Sequence, residues 1–213
     1  TDNTTYIKVR YGDWFLSVNE VFDEHVTISV DVPVFRVYNT NSEDGYNYIQ
    51  RAIDNASAGD EIILSSGTFN ENIVIDKELT LTGSGIGTII TVQPPFGMGS
   101  PPIADWTVPG INVTSSGVTI SNILISNFSV GILAFQADSL SLNSINIEDI
   151  QGVGIHIDSS VGVTATDMVV TESSSSNILV ERNSTDVSIS NSLIGWSEES
   201  GIVVREGSDF FEM

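Results

Sequence analysis

Between residues 110 and 204 apolar and polar side chains alternate in short runs, and one run returns five times. Gly110-Ile-Asn-Val, Gly131-Ile-Leu-Ala, Gly154-Ile-His-Ile, Asn177-Ile-Leu-Val and Gly201-Ile-Val-Val are separated by 21, 23, 23 and 24 residues. A second run, Val118-Thr-Ile-Ser-Asn, Leu140-Ser-Leu-Asn-Ser, Val163-Thr-Ala-Thr-Asp and Val187-Ser-Ile-Ser-Asn, keeps steps of 22, 23 and 24. Two strand-like patterns sharing one slowly varying step predict a β-solenoid, each repeat forming one coil. Alternation then sends Ile111 and Val113, and their counterparts in later coils, inward. Asn112, Leu133, His156, Leu179 and Val203 should stack outward about 4.8 Å apart, with Thr114, Phe135, Asp158, Glu181 and Arg205 as the next outward row.

The flanks differ. Residues 1–40 hold alternating runs such as Tyr6-Ile-Lys-Val and Val26-Thr-Ile-Ser-Val, which predict an appended β-strand region outside the repeat. Over 41–59, Ile49, Ala52, Ile53 and Ala56 recur at helical spacing. This predicts a short amphipathic helix, started by Ser42 or Asp44 and ended by Gly59, acting as a lid on the first coil of a β-solenoid spanning 60–213. The proline-rich stretch 93–109 cannot continue a strand ladder and should loop out, offering Phe96 and Trp106 to a sugar ring or a neighbour. No second capping helix is visible after Gly201, so the last coil should stack on another molecule, lie under the amino-terminal strands or continue in a longer chain.

Residues 48 to 64, Tyr48-Ile-Gln-Arg-Ala-Ile through Asp60-Glu-Ile-Ile-Leu, are followed by Gly67-Thr-Phe-Asn-Glu-Asn-Ile-Val-Ile and Leu79-Thr-Leu-Thr-Gly-Ser-Gly. This succession resembles the capping helix and opening coils of the pectin-lyase-like right-handed parallel β-helix superfamily, and the likeness extends over roughly residues 44–213. It implies an all-β, right-handed parallel β-helix with an amino-terminal capping helix. That fold serves lyases, glycoside hydrolases, esterases, phage tailspikes, adhesins and surface-layer components, so it does not fix the function. In the polysaccharide-degrading relatives the sheet formed by the Gly-Ile repeat usually carries the chemistry. Eliminating lyases need a base with calcium-holding carboxylates, and hydrolases a carboxylate pair. Adjacent coils should bring His156, Asp158, Glu181, Arg182 and Arg205 together, with Asp158 and Glu181 about 5 Å apart, His156 as proton carrier and Arg205 as the neutralising cation. The same groups also make an ordinary charge ladder, and two carboxylates are too few to define a calcium site.

Charge narrows the partners. With 28 acidic and 7 basic side chains the chain carries a net charge of −21, which repels nucleic acid and anionic membranes. The absence of cysteine excludes disulfides and Cys-based zinc sites, and no apolar run approaches the roughly 18 residues of a membrane span. Sequons at Asn3, Asn55, Asn112, Asn127 and Asn183 favour a secreted or cell-surface glycoprotein. The outward aliphatics Leu133, Leu179 and Val203, with Phe135, suggest an assembly face. Thr119, Ser121 and their counterparts make a hydroxyl-bearing face, and Asn122, Ser144, Asp167 and Asn191 mark a shared corner where short polar side chains turn the chain. The residues favour a non-enzymatic extracellular structural or surface module that self-associates, meets neighbouring surface proteins or binds a glycan, without a required cofactor although calcium is compatible. The alternative is a polysaccharide lyase or glycoside hydrolase.

Overall fold

The computed structural model describes residues 7–11, 14–18, 35–92 and 108–212. Phe96, Trp106 and Asn3 lie outside them.

The Gly-Ile repeats form a six-stranded parallel sheet of Ile73–Ile75, Ile111–Val113, Val130–Phe135, Val153–Asp158, Ser176–Glu181 and Ser200–Val204, stacked in chain order. Its register aligns Ile73, Ile111, Ile132, Ile155, Ile178 and Ile202 in one column. The first five are buried in the core. Such a column is what a β-branched side chain at a fixed point of every coil should give: each coil's methyl groups pack on those of the next. The second run forms the opposite wall, where Thr119 aligns with Thr80 and Ser141, and Ser141 with Thr164.

The coils turn on left-handed corners. Asn122, Ser144, Asp167 and Asn191 all have φ between 50° and 57°, so the polar residues after the second run are the bend itself. Asn127, Asp149, Glu172 and Trp196 form another such column, and Gln136, Ser159, Arg182 and Glu206 a further one. Each left-handed residue other than glycine costs about 1 kcal/mol, less for Asn and Asp. Backbone bonds between corners help offset this, for example Gln136 N–H to Asp158 O at 3.1 Å and Glu172 N–H to Trp196 O at 2.8 Å.

The amino-terminal end is closed in two ways. Strand Val37–Asn39 pairs antiparallel with Asp44–Tyr46 and with Asp60–Leu64, covering the edge of the second wall. Helix Ile49–Asn55 lays Ile49, Ala52 and Ile53 on the first coil. It is shorter than the 41–59 expected, because residues 44–46 are a strand. Neither Ser42 nor Asp44 caps it. Ser42 N–H donates to Asn39 Oδ1, and the helix amides of Ile49 and Gln50 donate to the Glu71 carboxylate of the first coil, at 3.0 and 3.1 Å. Lys77 Nζ donates to Ile53 O at 3.0 Å at the other end, so opposite charges from the coil meet the two ends of the helix dipole. The Gln50 amide accepts from Val74 N–H at 2.7 Å and donates to Val74 O at 3.2 Å, as a neighbouring strand would.

Residues 7–11 and 14–18 form an antiparallel pair. No helix among the described residues is long and apolar enough to cross a membrane.

Candidate functional site

The ionisable cluster sits at the carboxyl ends of the central strands of the six-stranded sheet. Asp158 aligns with Glu181, and His156 with Leu179. Glu181 leans back diagonally, placing Oε1 3.0 Å from His156 Nε2. One ligand atom from each of His156, Asp158 and Glu181 falls within 4.8 Å of the others. The expected trio therefore converges.

The expected cation does not. Arg205 follows the last strand, is exposed, and makes no ion pair with a described residue. Arg182 takes that role: at φ 56° it turns the corner after its strand and sends Nη1 back to Asp158 Oδ2 at 2.6 Å, with Nε 3.8 Å from Glu181 Oε1. Alternation puts Asp158 outward, yet its side chain is only 4 % exposed, beneath Arg182 and accepting from Ser159 Oγ at 2.8 Å. A buried carboxylate must be paired, and these two donors pair it. Carboxylate oxygens within 4.8 Å are compatible with the close spacing of a retaining pair, but the guanidinium already occupies Asp158.

A second feature, not anticipated from the sequence, opens at the corner leading into the same sheet. A groove of about 430 Å³ is lined by Asp149, Glu172, Ser173, Ser174, Trp196, Ser197 and Glu198. Trp196 is 79 % exposed. Its neighbours in the corner column are Asn127, Asp149 and Glu172, so one large aromatic ring replaces short or acidic side chains. That break in the period was readable in the sequence. Ser173 beside it is buried, and its hydroxyl has no partner among the described residues. The groove adjoins the amino ends of the strands whose carboxyl ends carry Asp158 and Glu181. The six-residue strand Ser176–Glu181, which runs from the groove side to the cluster, spans about 17 Å.

The remaining expected residues divide. Leu133, Leu179 and Val203 stand half-buried in one outward row and Phe135 is 38 % exposed beside it. Among the sequons, Asn55 and Asn183 are exposed, whereas Asn112 is half-buried with its Oδ1 shielded and without a partner among the described residues. The Asn127 amide donates to Thr91 Oγ1 at 3.0 Å and Ser126 Oγ at 3.2 Å.

A family model described as "Right handed beta helix region" matches residues 102–212. Compared with the curated proteins, the sequence matches none. Among solved structures the chain is similar to ORF18 of Geobacillus virus E2 at 16% identity and a TM-score of 0.55, over 77% of this chain and 36% of that one. It is also similar to an alginate lyase from Paenibacillus sp. str. FPU-7 at 15% identity and TM-score 0.51, over 76% and 72% of the two chains. A pectin methylesterase from Yersinia enterocolitica aligns at 17% identity and TM-score 0.50, over 68% of this chain and 56% of its own. The chain thus spans about a third of the viral protein's length, and at these identities the likeness concerns the fold.

Proposed function

The chain belongs to the right handed beta helix family, in the pectin-lyase-like superfamily, and from that fold we propose that it is a non-enzymatic glycan-binding module of an extracellular or cell-surface protein. The observation that carries this reading is Trp196, a ring 79 % exposed on a groove otherwise lined by carboxylates and hydroxyls. An exposed indole offers a flat apolar face to the C–H side of a pyranose, while Asp149, Glu172 and Glu198 accept hydrogen bonds from its hydroxyls. Carboxylate lining on a chain of charge −21 disfavours polyanionic glycans, so the fitting ligand is a neutral or amino-sugar polymer. The half-buried row of Leu133, Leu179 and Val203 continues the surface away from the groove and supports a contact with glycan or with a neighbouring copy.

Catalysis is the second reading, supported by the convergence of His156, Asp158 and Glu181 within 4.8 Å. In that role Glu181 would exchange a proton with substrate and His156 would relay it, once Arg182 released Asp158. The two readings separate on a panel of neutral, amino-sugar and uronate polysaccharides. Binding without new reducing or unsaturated ends supports the module. Turnover abolished by Asp158→Asn or Glu181→Gln would replace it with the enzyme.

A further inference from the structure

We propose that His156, Asp158 and Glu181 form a binding site for a divalent first-row transition metal such as zinc, manganese or cobalt, and that Arg182 fills the site in the metal-free protein. Two donors bound to one ion at about 2.1 Å each, and 90–109° apart, stand about 3.0–3.4 Å from each other. His156 Nε2 and Glu181 Oε1 are 3.0 Å apart, already at that bite, and one ligand atom from each of the three residues falls within 4.8 Å of the others. Closing the remaining distance requires the Asp158 carboxylate to turn away from Arg182 and Ser159, which hold it at 2.6 and 2.8 Å. The three donors come from two in-register strands inside the sheet, so their backbones are fixed before any ion arrives.

The donor set selects the ion. One imidazole nitrogen with two carboxylates suits zinc, manganese, cobalt or nickel, whereas calcium takes six to eight oxygens. Calcium, compatible with the carboxylates alone, is therefore the wrong ion once His156 joins them.

Arg182 explains how two carboxylates stay together without metal. Its guanidinium lies on Asp158 and beside Glu181, supplying positive charge where an ion would. The side chain is 56 % exposed, so it can swing into water when an ion takes its place. Metal and guanidinium thus compete for the same carboxylate, and removing the competitor should strengthen binding. A merely structural salt bridge makes no such prediction.

Zinc, cobalt, manganese, calcium and magnesium chlorides titrated separately into the whole chain provide the test, read by calorimetry, thermal melting and the visible spectrum of bound Co²⁺. The expected result is one site per chain for zinc or cobalt with little response to calcium, lost in His156→Gln and weakened in Asp158→Asn. Arg182→Gln should melt lower without metal, recover on adding zinc, and bind zinc about fivefold more tightly, the equivalent of one partly exposed ion pair. If Arg182→Gln does not fold, the Co²⁺ spectrum of the unmodified chain against His156→Gln decides alone. Absence of zinc and cobalt binding, binding indifferent to His156→Gln, or tighter binding of calcium than of zinc would each overturn the site.

Discussion

Glu71 follows Ile49 by 22 positions, yet its carboxylate accepts the Ile49 amide at 3.0 Å and closes the start of the capping helix from the coil beneath. Burial pushes the Glu71 carboxyl above the ordinary glutamate value of 4.5, against the opposing pull of the Ile49 and Gln50 amides and of Arg36. The folded chain therefore releases this proton at higher pH than the unfolded chain. Glu71's contribution to stability is full below about 4.5 and is lost as pH rises through the folded value. Chemical denaturation of wild type and Glu71→Gln at a series of pH values should show a difference that shifts toward the variant as pH rises. Glu71→Ala, which removes the acceptors altogether, should cost about 1 kcal/mol. A pH-independent difference between wild type and Glu71→Gln would contradict this.

Gly154 and Gly201 hold the same place in the repeat but have different surroundings. A Cβ on Gly154 would stand 2.5 Å from Asn177 O and 2.7 Å from Val170 Cγ1, whereas the nearest atom to one on Gly201 is 3.8 Å away. Gly154→Ala must push neighbouring coils apart, and about 1–3 kcal/mol of destabilisation is expected. Gly201→Ala should be neutral within about 0.5 kcal/mol. Equal melting temperatures for the two variants would show that the coils have slack the geometry denies.

Arg182 and Arg205 make a second contrasting pair. Arg182→Ala leaves the buried Asp158 carboxylate with the Ser159 hydroxyl as its remaining side-chain donor, and should cost about 2 kcal/mol. Arg205→Ala should change stability by less than about 0.5 kcal/mol. Urea midpoints of the two variants at neutral pH test the assignment, and the opposite order would restore Arg205 as the cation of the cluster.

Asp149 and Glu172 stand one coil apart in one corner column, and the whole chain carries a net charge of −21. Sodium chloride should therefore raise the melting temperature between about 0.01 and 0.15 M, where screening shortens from about 30 to 8 Å. A flat or falling dependence would show that the acidic surface carries no folding penalty.

The fold was legible because a parallel solenoid puts equivalent residues in register, so a period in sequence becomes a column in space. Ile111 to Ile202 shows this directly. Alternation was less reliable at the ends of strands. It pointed Asp158 to solvent, although Arg182, turning at a left-handed corner, folds back and covers it. It also selected Arg205, which follows the strand's last ladder residue. The true helix cap was hidden for another reason: Glu71 is remote in sequence, and local capping rules look only at residues such as Ser42 and Asp44. Trp196 is visible as a break in its column but falls in a turn, outside the strand rows to which alternation assigns a facing.

The most direct measurement is a titration of intrinsic tryptophan fluorescence with soluble neutral and amino-sugar oligosaccharides, comparing wild type with Trp196→Ala and monitoring the sugars for cleavage. A saturable fluorescence change in wild type, with calorimetric binding lost in Trp196→Ala while the ligand stays intact, is the predicted result. Undiminished binding by Trp196→Ala, or cleavage that disappears in Asp158→Asn, would contradict a non-enzymatic module that reads glycan through this groove.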